Sequence, residues 1–361
     1  MPRLSLALIA FALPAAAGDG SQINVLSLGG AFSQSQVEAY NRPFTEKTGV
    51  AVVMSDSDNP AQPIVAQVAA GNVTHDVAAV DSSDAQRLCD EGVIVPIDHA
   101  RLLPAPDGTP GAQDFLPGGL QDCFVATDVY ATAIAWNADK LGDTAPASIR
   151  DFFDLEKFPG RRGVLRQPRF TLELALMGDG VPAAQVYEVL ATPEGVDRAF
   201  AKLDSIKDQI VWWDAGAQPP QLLADGEVAM TQTYTGRIFT SVIEDGLPFR
   251  LMWDGQVYTT EGWVIPKGAP NPDLAMDYVI FSTSTEAQAR AAQHISYGPA
   301  RKSSESLVGL YKDGKTDMAP WLPTTPANMG NALAYGTDFW ADHDTELTER
   351  FNAWLPGKGG Q

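Results

Sequence analysis

Short apolar runs alternate with stretches of helical periodicity through the first hundred residues. Ile23-Asn24-Val25-Leu26-Ser27-Leu28 reads as a strand stopped by Gly29-Gly30. Behind it Val37, Tyr40 and Phe44 recur at helical spacing until Lys47-Thr48-Gly49 closes the segment. Val50 to Val53 reads as a second strand, and Ile64 to Ala69 as a helix capped by Gly71. Asp76 to Val80 is a buried-type strand ending in the polar turn Asp81-Ser82-Ser83. Strands alternating with helices at this spacing predict an α/β unit built on a mostly parallel sheet. Ligands of such sheets sit beyond the carboxyl ends of the strands. That rule singles out Gly30 and Phe32 after the first strand, and Asp81 and Ser82 after the third.

Later segments punctuate themselves more sharply. Trp212-Trp213 ends a strand, Asp214 to Ala217 turns on Gly216, and Gln218-Pro219-Pro220 opens a helix. Asp225-Gly226 then turns the chain into a strand at Val228-Ala229-Met230. Tyr130-Ala131-Thr132-Ala133-Ile134-Ala135-Trp136-Asn137 is apolar and extended. Glu261-Gly262-Trp263-Val264-Ile265 is a strand stopped by Pro266-Lys267-Gly268.

The N-terminus changes the compartment. Met1-Pro2-Arg3, the apolar run Leu4 to Leu13 and Ala15-Ala16-Ala17 are the three parts of a secretory signal peptide, expected over residues 1–17. The run is too short to cross a bilayer, and no later segment offers about eighteen consecutive apolar residues. The first cysteine is Cys89, so a lipid anchor behind the leader is not expected. The mature chain is expected to be soluble in the periplasm.

Of 361 residues, 45% are hydrophobic and 19% charged, an ordinary globular balance. The formal net charge of -20 argues against a nucleic-acid partner, which requires clustered Lys and Arg. It favours cationic solutes weakly, through long-range attraction.

In order and spacing, these segments resemble the bacterial extracellular solute-binding proteins. The carrying motifs are Tyr130 to Asn137, Phe158-Pro159-Gly160-Arg161-Arg162-Gly163, the Trp212 to Met230 stretch, and Glu261 to Gly268. Within that family the likeness points to the spermidine/putrescine-binding branch of ABC-transporter receptors. It implies a type II periplasmic binding protein fold of two lobes, each a mostly parallel sheet flanked by helices, joined by hinge strands. Lobe 1 is expected over 18–132 plus 263–305, and lobe 2 over 133–262 plus 306–361. The implied function is capture of an amine-bearing solute, such as putrescine or spermidine, by hinge closure. A monomeric receptor without cofactor or metal would then deliver it to an ABC permease in the inner membrane.

Such a site must match ammonium groups with carboxylates, because an unpaired buried charge is costly, and it suits aromatic faces. The resemblance places Glu261 as an amine anchor, Asp81 as a polar contact and Tyr234 as an aromatic wall. Tyr130 at the first crossing and Tyr297 before Gly298-Pro299 are further expected contacts. Gln218 stands near a helix start, where exposed N–H groups are expected to face an anionic ligand group. The structural alternatives are a helix cap for Asp81 and core packing for each tyrosine.

One loop departs from the polyamine pattern. Where acidic residues are expected, this chain has Arg166-Gln167-Pro168-Arg169. Either the arginines point outward and the solute is a polyamine, or the solute carries both an amine and a carboxylate. In the second case Glu261 and Arg169 would hold its opposite ends.

Enzyme motifs do not support a rival. The chain has no G-x-S-x-G elbow, phosphate loop or H-E-x-x-H, and His75, His99, His294 and His343 lack metal-ligand spacing. A periplasmic hydrolase is the remote alternative. Ferric-ion receptors of similar fold use adjacent tyrosines, and this chain has no such pair. The two cysteines, Cys89 and Cys123, both fall in lobe 1 and in an oxidising compartment, so a disulfide is expected; two separate buried thiols are the other reading.

Overall fold

The computed structural model describes residues 21–141 and 145–355. The expected leader lies outside them. The strands are β1 Gln22–Ser27, β2 Ala51–Asp56, β3 Val77–Asp81, β4 Leu120–Gln121, β5 Phe124–Asn137 and β6 Arg162–Leu165. They continue as β7 Ile210–Trp213, β8 Met230–Tyr234, β9 Phe249–Val264, β10 Gly298–Pro299 and β11 Leu333–Ala334. The main order is β2-β1-β3-β9-β5-β8-β6-β7, with β4 and β10 on β5 and β11 on β9.

Two parallel trios flank a central antiparallel pair. β1 runs parallel to β2 and β3, and β6 parallel to β7 and β8. Between them β5 and β9 pair antiparallel, from Val125 opposite Trp263 to Asn137 opposite Phe249. The expected crossing segments are therefore portions of longer strands that start at Phe124 and Phe249. β5 is buried nearly end to end on both faces, so its sequence has no polar alternation to mark where it begins. The predicted helices and turns fall close to their places. Gln218–Asp225 is helical, with prolines in its first turn and Gly226 left-handed at its end.

The two largest hydrophobic cores among the described residues share this sheet. The first gathers Ile23, Val25, Phe44, Val125, Trp263 and Tyr278. The second gathers Phe152, Leu172, Trp213, Met230 and Trp340. Along β5 core membership passes from the first to the second between Ala131 and Ile134, and along β9 between Tyr258 and Val257. The C-terminal helix Thr337–Trp354 belongs to the second core. There Trp340 Nε1 donates to Glu173 Oε1 at 2.6 Å, and Tyr187 Oη donates to the same oxygen at 3.1 Å.

Two local devices shape the middle of the sheet. A Cβ on Gly262 would lie 2.3 Å from Val125 O and 2.5 Å from Ala126 Cα, so only glycine lets β9 approach β5 this closely. Directly opposite, the β5 register shifts between Ala126 and Asp128. Such a bulge re-aims the side chains that follow it. Cys89, in the helix Ser82–Asp90, is bonded to Cys123 just before β5, with Cα atoms 5.9 Å apart, as the cysteine count led us to expect.

Candidate functional site

A cavity of about 550 Å³ opens where elements of both cores meet. Its first wall is the turn that ends β1. Gly29 and Gly30 have φ of 88° and 57°, the left-handed region that glycine enters without strain. This turn leads into the helix Gly30–Gln36 and exposes Gly30 and Phe32 to the cavity.

Aromatic rings form a continuous series from there. Phe32 lies 6.0 Å from Tyr297, Tyr297 lies 6.0 Å from Tyr130, and Tyr130 lies 6.1 Å from Tyr234. Trp213 supports Tyr234 from behind, edge-on at 5.8 Å. Tilted and edge-on contacts in this range are the favourable ring geometries.

Three carboxyl groups stand side by side beneath the rings. The register pairs Asp81 of β3 with Glu261 of β9, and Glu261 in turn with Asp128 of β5. Cross-strand partners share a face, so all three side chains project together. Tyr130 Oη donates to Asp81 Oδ1 at 2.9 Å, and Thr127 Oγ1 donates to Asp128 Oδ2 at 2.7 Å. Asp128 Oδ1 and Glu261 Oε2 are out of contact with solvent and have no partner among the described residues. Among the described residues none of the three forms an ion pair.

That arrangement disfavours ionisation. Burial pushes Asp81 up to about 6, against the lowering hydrogen bond from Tyr130. Burial likewise pushes Asp128 up to about 8, against the hydrogen bond from Thr127. Glu261 rises well above the usual carboxyl range, through burial first and then the fields of Asp81 and Asp128. A row of acids desolvated without a cation is an arrangement completed by a positively charged ligand.

The same cavity is lined by an arginine. Arg237, in the first turn of the helix Thr235–Ile243 that follows β8, is exposed and forms no ion pair among the described residues. Burial raises both Tyr234, to about 12, and Tyr297; beyond that, Glu261 raises and Arg237 lowers each of them. The two tyrosines therefore stand within the fields of both charges.

The expected site residues divide clearly. Gly30, Phe32, Tyr130, Tyr234, Glu261 and Tyr297 line the cavity, and Asp81 lies one hydrogen bond behind it through Tyr130. Ser82 is buried, its Oγ 3.4 Å from Thr259 Oγ1 and 3.5 Å from Thr337 Oγ1. Gln218 Oε1 accepts the N–H groups of Asp214 and Ala215, both at 2.8 Å, and so closes its own turn. Arg169 Nε donates to Asp344 at 2.7 Å, and Arg166 grips Asp214 through two hydrogen bonds of 2.8 and 2.6 Å. The cavity lining includes neither arginine, nor Gln218 nor Ser82.

The sequence reading did not single out the lining residues Asp58, Thr235, Arg237 and Thr240, nor Asp128 behind Glu261. Asp128 carried a signal, as a carboxylate inside the apolar run Phe124 to Asn137. Arg237 follows β8, whose pairing parallel to β6 brings its terminus at Tyr234 under the rule of strand ends, and that pairing is visible only in the fold.

Comparisons with known proteins identify the family. The sequence model of the family "Bacterial extracellular solute-binding protein" matches residues 39–324. A gamma-aminobutyric acid-binding protein of Pseudomonas aeruginosa is 42% identical over 352 residues, covering 98% of this chain and 96% of that protein. The spermidine/putrescine-binding periplasmic protein of Escherichia coli is only 20% identical over 289 residues, 76% of this chain and 79% of that one. The expected kinship with the polyamine branch is thus corrected to a distant one.

Solved structures agree on the architecture. An ABC transporter substrate-binding protein from Bradyrhizobium japonicum superposes with a TM-score of 0.81 at 30% identity, covering 93% of this chain and 99% of that one. A GABA receptor, Atu4243, gives a TM-score of 0.77 at 29% identity, covering 94% and 99%. These relatives are two-lobed solute-binding proteins and not enzymes.

Proposed function

This chain belongs to the bacterial extracellular solute-binding proteins, the receptors of ABC transporters, and on that premise we propose that its solute is a small ω-amino acid of the γ-aminobutyrate type. The observation that carries this reading is one cavity lined by both Glu261, backed by Asp81, and an arginine free of ion pairs, Arg237. The ammonium end meets the acidic row, the methylenes lie along Tyr130, Tyr234 and Tyr297, and the carboxylate takes the Arg237 guanidinium. A diamine leaves that arginine facing a like charge, whereas a guanidinium fork suits a carboxylate. The relatives named for GABA support the same choice.

Lobes of 18–132 plus 263–305 and 133–262 plus 306–361 would close on the solute and pass it to an ABC permease; the change of core along β5 supports the first boundary, and along β9 it falls earlier, at Tyr258. Residues 1–17, outside the described residues, would act as a cleaved leader to the periplasm. Among the described residues no helix is long and apolar enough to cross a membrane.

Titration calorimetry of the mature protein with γ-aminobutyrate and with putrescine separates the two ligand classes. Heat with the amino acid and none with the diamine supports the reading. The reverse result restores the polyamine alternative.

A further inference from the structure

The unused member of the acidic row is Asp128. It lies away from the cavity lining, behind Glu261, on the strand opposite Asp81. Two features bring it there: the β5 register shift that leaves Thr127 as the extra residue, and Gly262, which lets the strands close. Thr127 Oγ1 donates to Asp128 and also lies 3.2 Å from Glu261 O, locking this stretch against β9. One oxygen on each of Asp128 and Glu261 is left without a donor.

We propose that Asp128 is a positioning residue that keeps a proton in the empty site, shared with Glu261, and that capture of the ammonium group expels it. The inference rests on the reading that an amine enters this cavity. In the empty receptor the shared proton gives one orphaned oxygen its donor and removes one of the adjacent like charges. When the ligand arrives as an ammonium ion it keeps all its protons. The carboxyl O–H bond breaks, its proton passes to water, and the freed carboxylate stands against the ammonium.

Among the described residues no cation pairs with Asp128 or Glu261, and Arg169 acts on Asp81 only from a distance. Tyr40 packs from the Val37–Asn41 segment, Tyr130 from β5, and Tyr234 and Tyr297 from the cavity. Arg290 acts on Tyr40 and already donates to Ala39 O. Asp84 adds a further negative charge near Asp81, and Arg169 is committed to Asp344. Arg237 lines the cavity and its field falls on Tyr234 and Tyr297, whereas no field from it falls on Asp128 or Glu261.

Infrared spectroscopy of the ligand-free mature protein tests the proton directly, through the carbonyl stretch of a protonated carboxyl group. The expected result at neutral pH is such a band, titrating with a midpoint lower by about one pH unit or more in Asp128→Asn. A ligand-free spectrum without it overturns the proposal. Calorimetry with γ-aminobutyrate in phosphate and in Tris buffer then counts protons from the dependence of heat on buffer. Release approaching one proton per bound ligand in the native protein, and close to zero per bound ligand in Asp128→Asn whatever its affinity, is expected. Binding with no buffer dependence overturns the release. Absence of any heat with γ-aminobutyrate sinks the ligand reading instead, and the difference between the ligand-free spectra of the native protein and Asp128→Asn still decides whether the pair holds its proton.

Discussion

Asp81 and Glu261 are cross-strand partners whose carboxyl groups face the same side of the sheet with no cation between them. Folding brings them together at a cost, since burial holds both above their ordinary range, with the field of Asp84 adding to it at Asp81 and that of Asp81 adding to it at Glu261. Function and stability therefore pull apart at this pair. Glu261→Gln is expected to raise the melting temperature of the ligand-free protein while weakening an amine-bearing ligand by roughly 10- to 150-fold, the worth of a charged hydrogen bond. Scanning calorimetry and ligand titration read the two effects separately. An unchanged affinity removes Glu261 from the site.

Arg237 provides the complementary test. Arg237→Gln is expected to weaken γ-aminobutyrate by roughly tenfold or more, since a charge-assisted contact becomes a neutral one. Putrescine is expected to bind no worse than before. A variant that keeps full affinity for the amino acid excludes this arginine as its carboxylate clamp.

The pH dependence of stability follows from the same acids, with an unusual sign. Asp81, Asp128 and Glu173 titrate at about 6, 8 and 7, against ordinary values of 3.8 for Asp and 4.5 for Glu. In each window the unfolded chain has already released a proton that the folded chain still holds. The folded state is therefore favoured below the window and loses ground as pH rises through it. The ligand-free protein is expected to melt at progressively lower temperature from about pH 5 to pH 8, and Glu173→Gln is expected to flatten part of that slope. A melting temperature that rises across the interval contradicts the assignment.

The disulfide closes 34 residues of chain between Cys89 and Cys123. Chain-entropy arguments give such a loop roughly 3–4 kcal/mol. Denaturant unfolding of the Cys89→Ser, Cys123→Ser double variant is expected to show a loss of that order. Both cysteines lie outside the cavity lining, so its ligand preference is expected to be unchanged.

Punctuated elements were legible in the sequence, and shared ones were not. The turn at Gly216 and the proline-opened helix at Gln218 read directly, because glycine and proline act locally. The extent of β5 did not, because a strand covered on both faces has no alternating pattern. Glu261, Tyr234 and Tyr297 followed from the family likeness, and Gly30 and Phe32 from the rule of strand ends. Arg169 looked poised to bind a solute because it sits in the loop after β6. Its carboxylate partner, Asp344, lies 175 positions further on, where no local pattern reveals it. Arg237 requires knowing that β8 joins the sheet beside β6, a long-range pairing.

The interleaving of the two cores also sets a timetable for the nascent chain. The first core holds residues from Ile23 to Ala300, and the second needs Phe351. A ribosome must therefore finish most of the polypeptide before either hydrophobic centre has all its parts. Contacts this distant in sequence form slowly, after the long intervening loops have been closed. Until then the growing chain remains open, short of the compact state that its last helix completes.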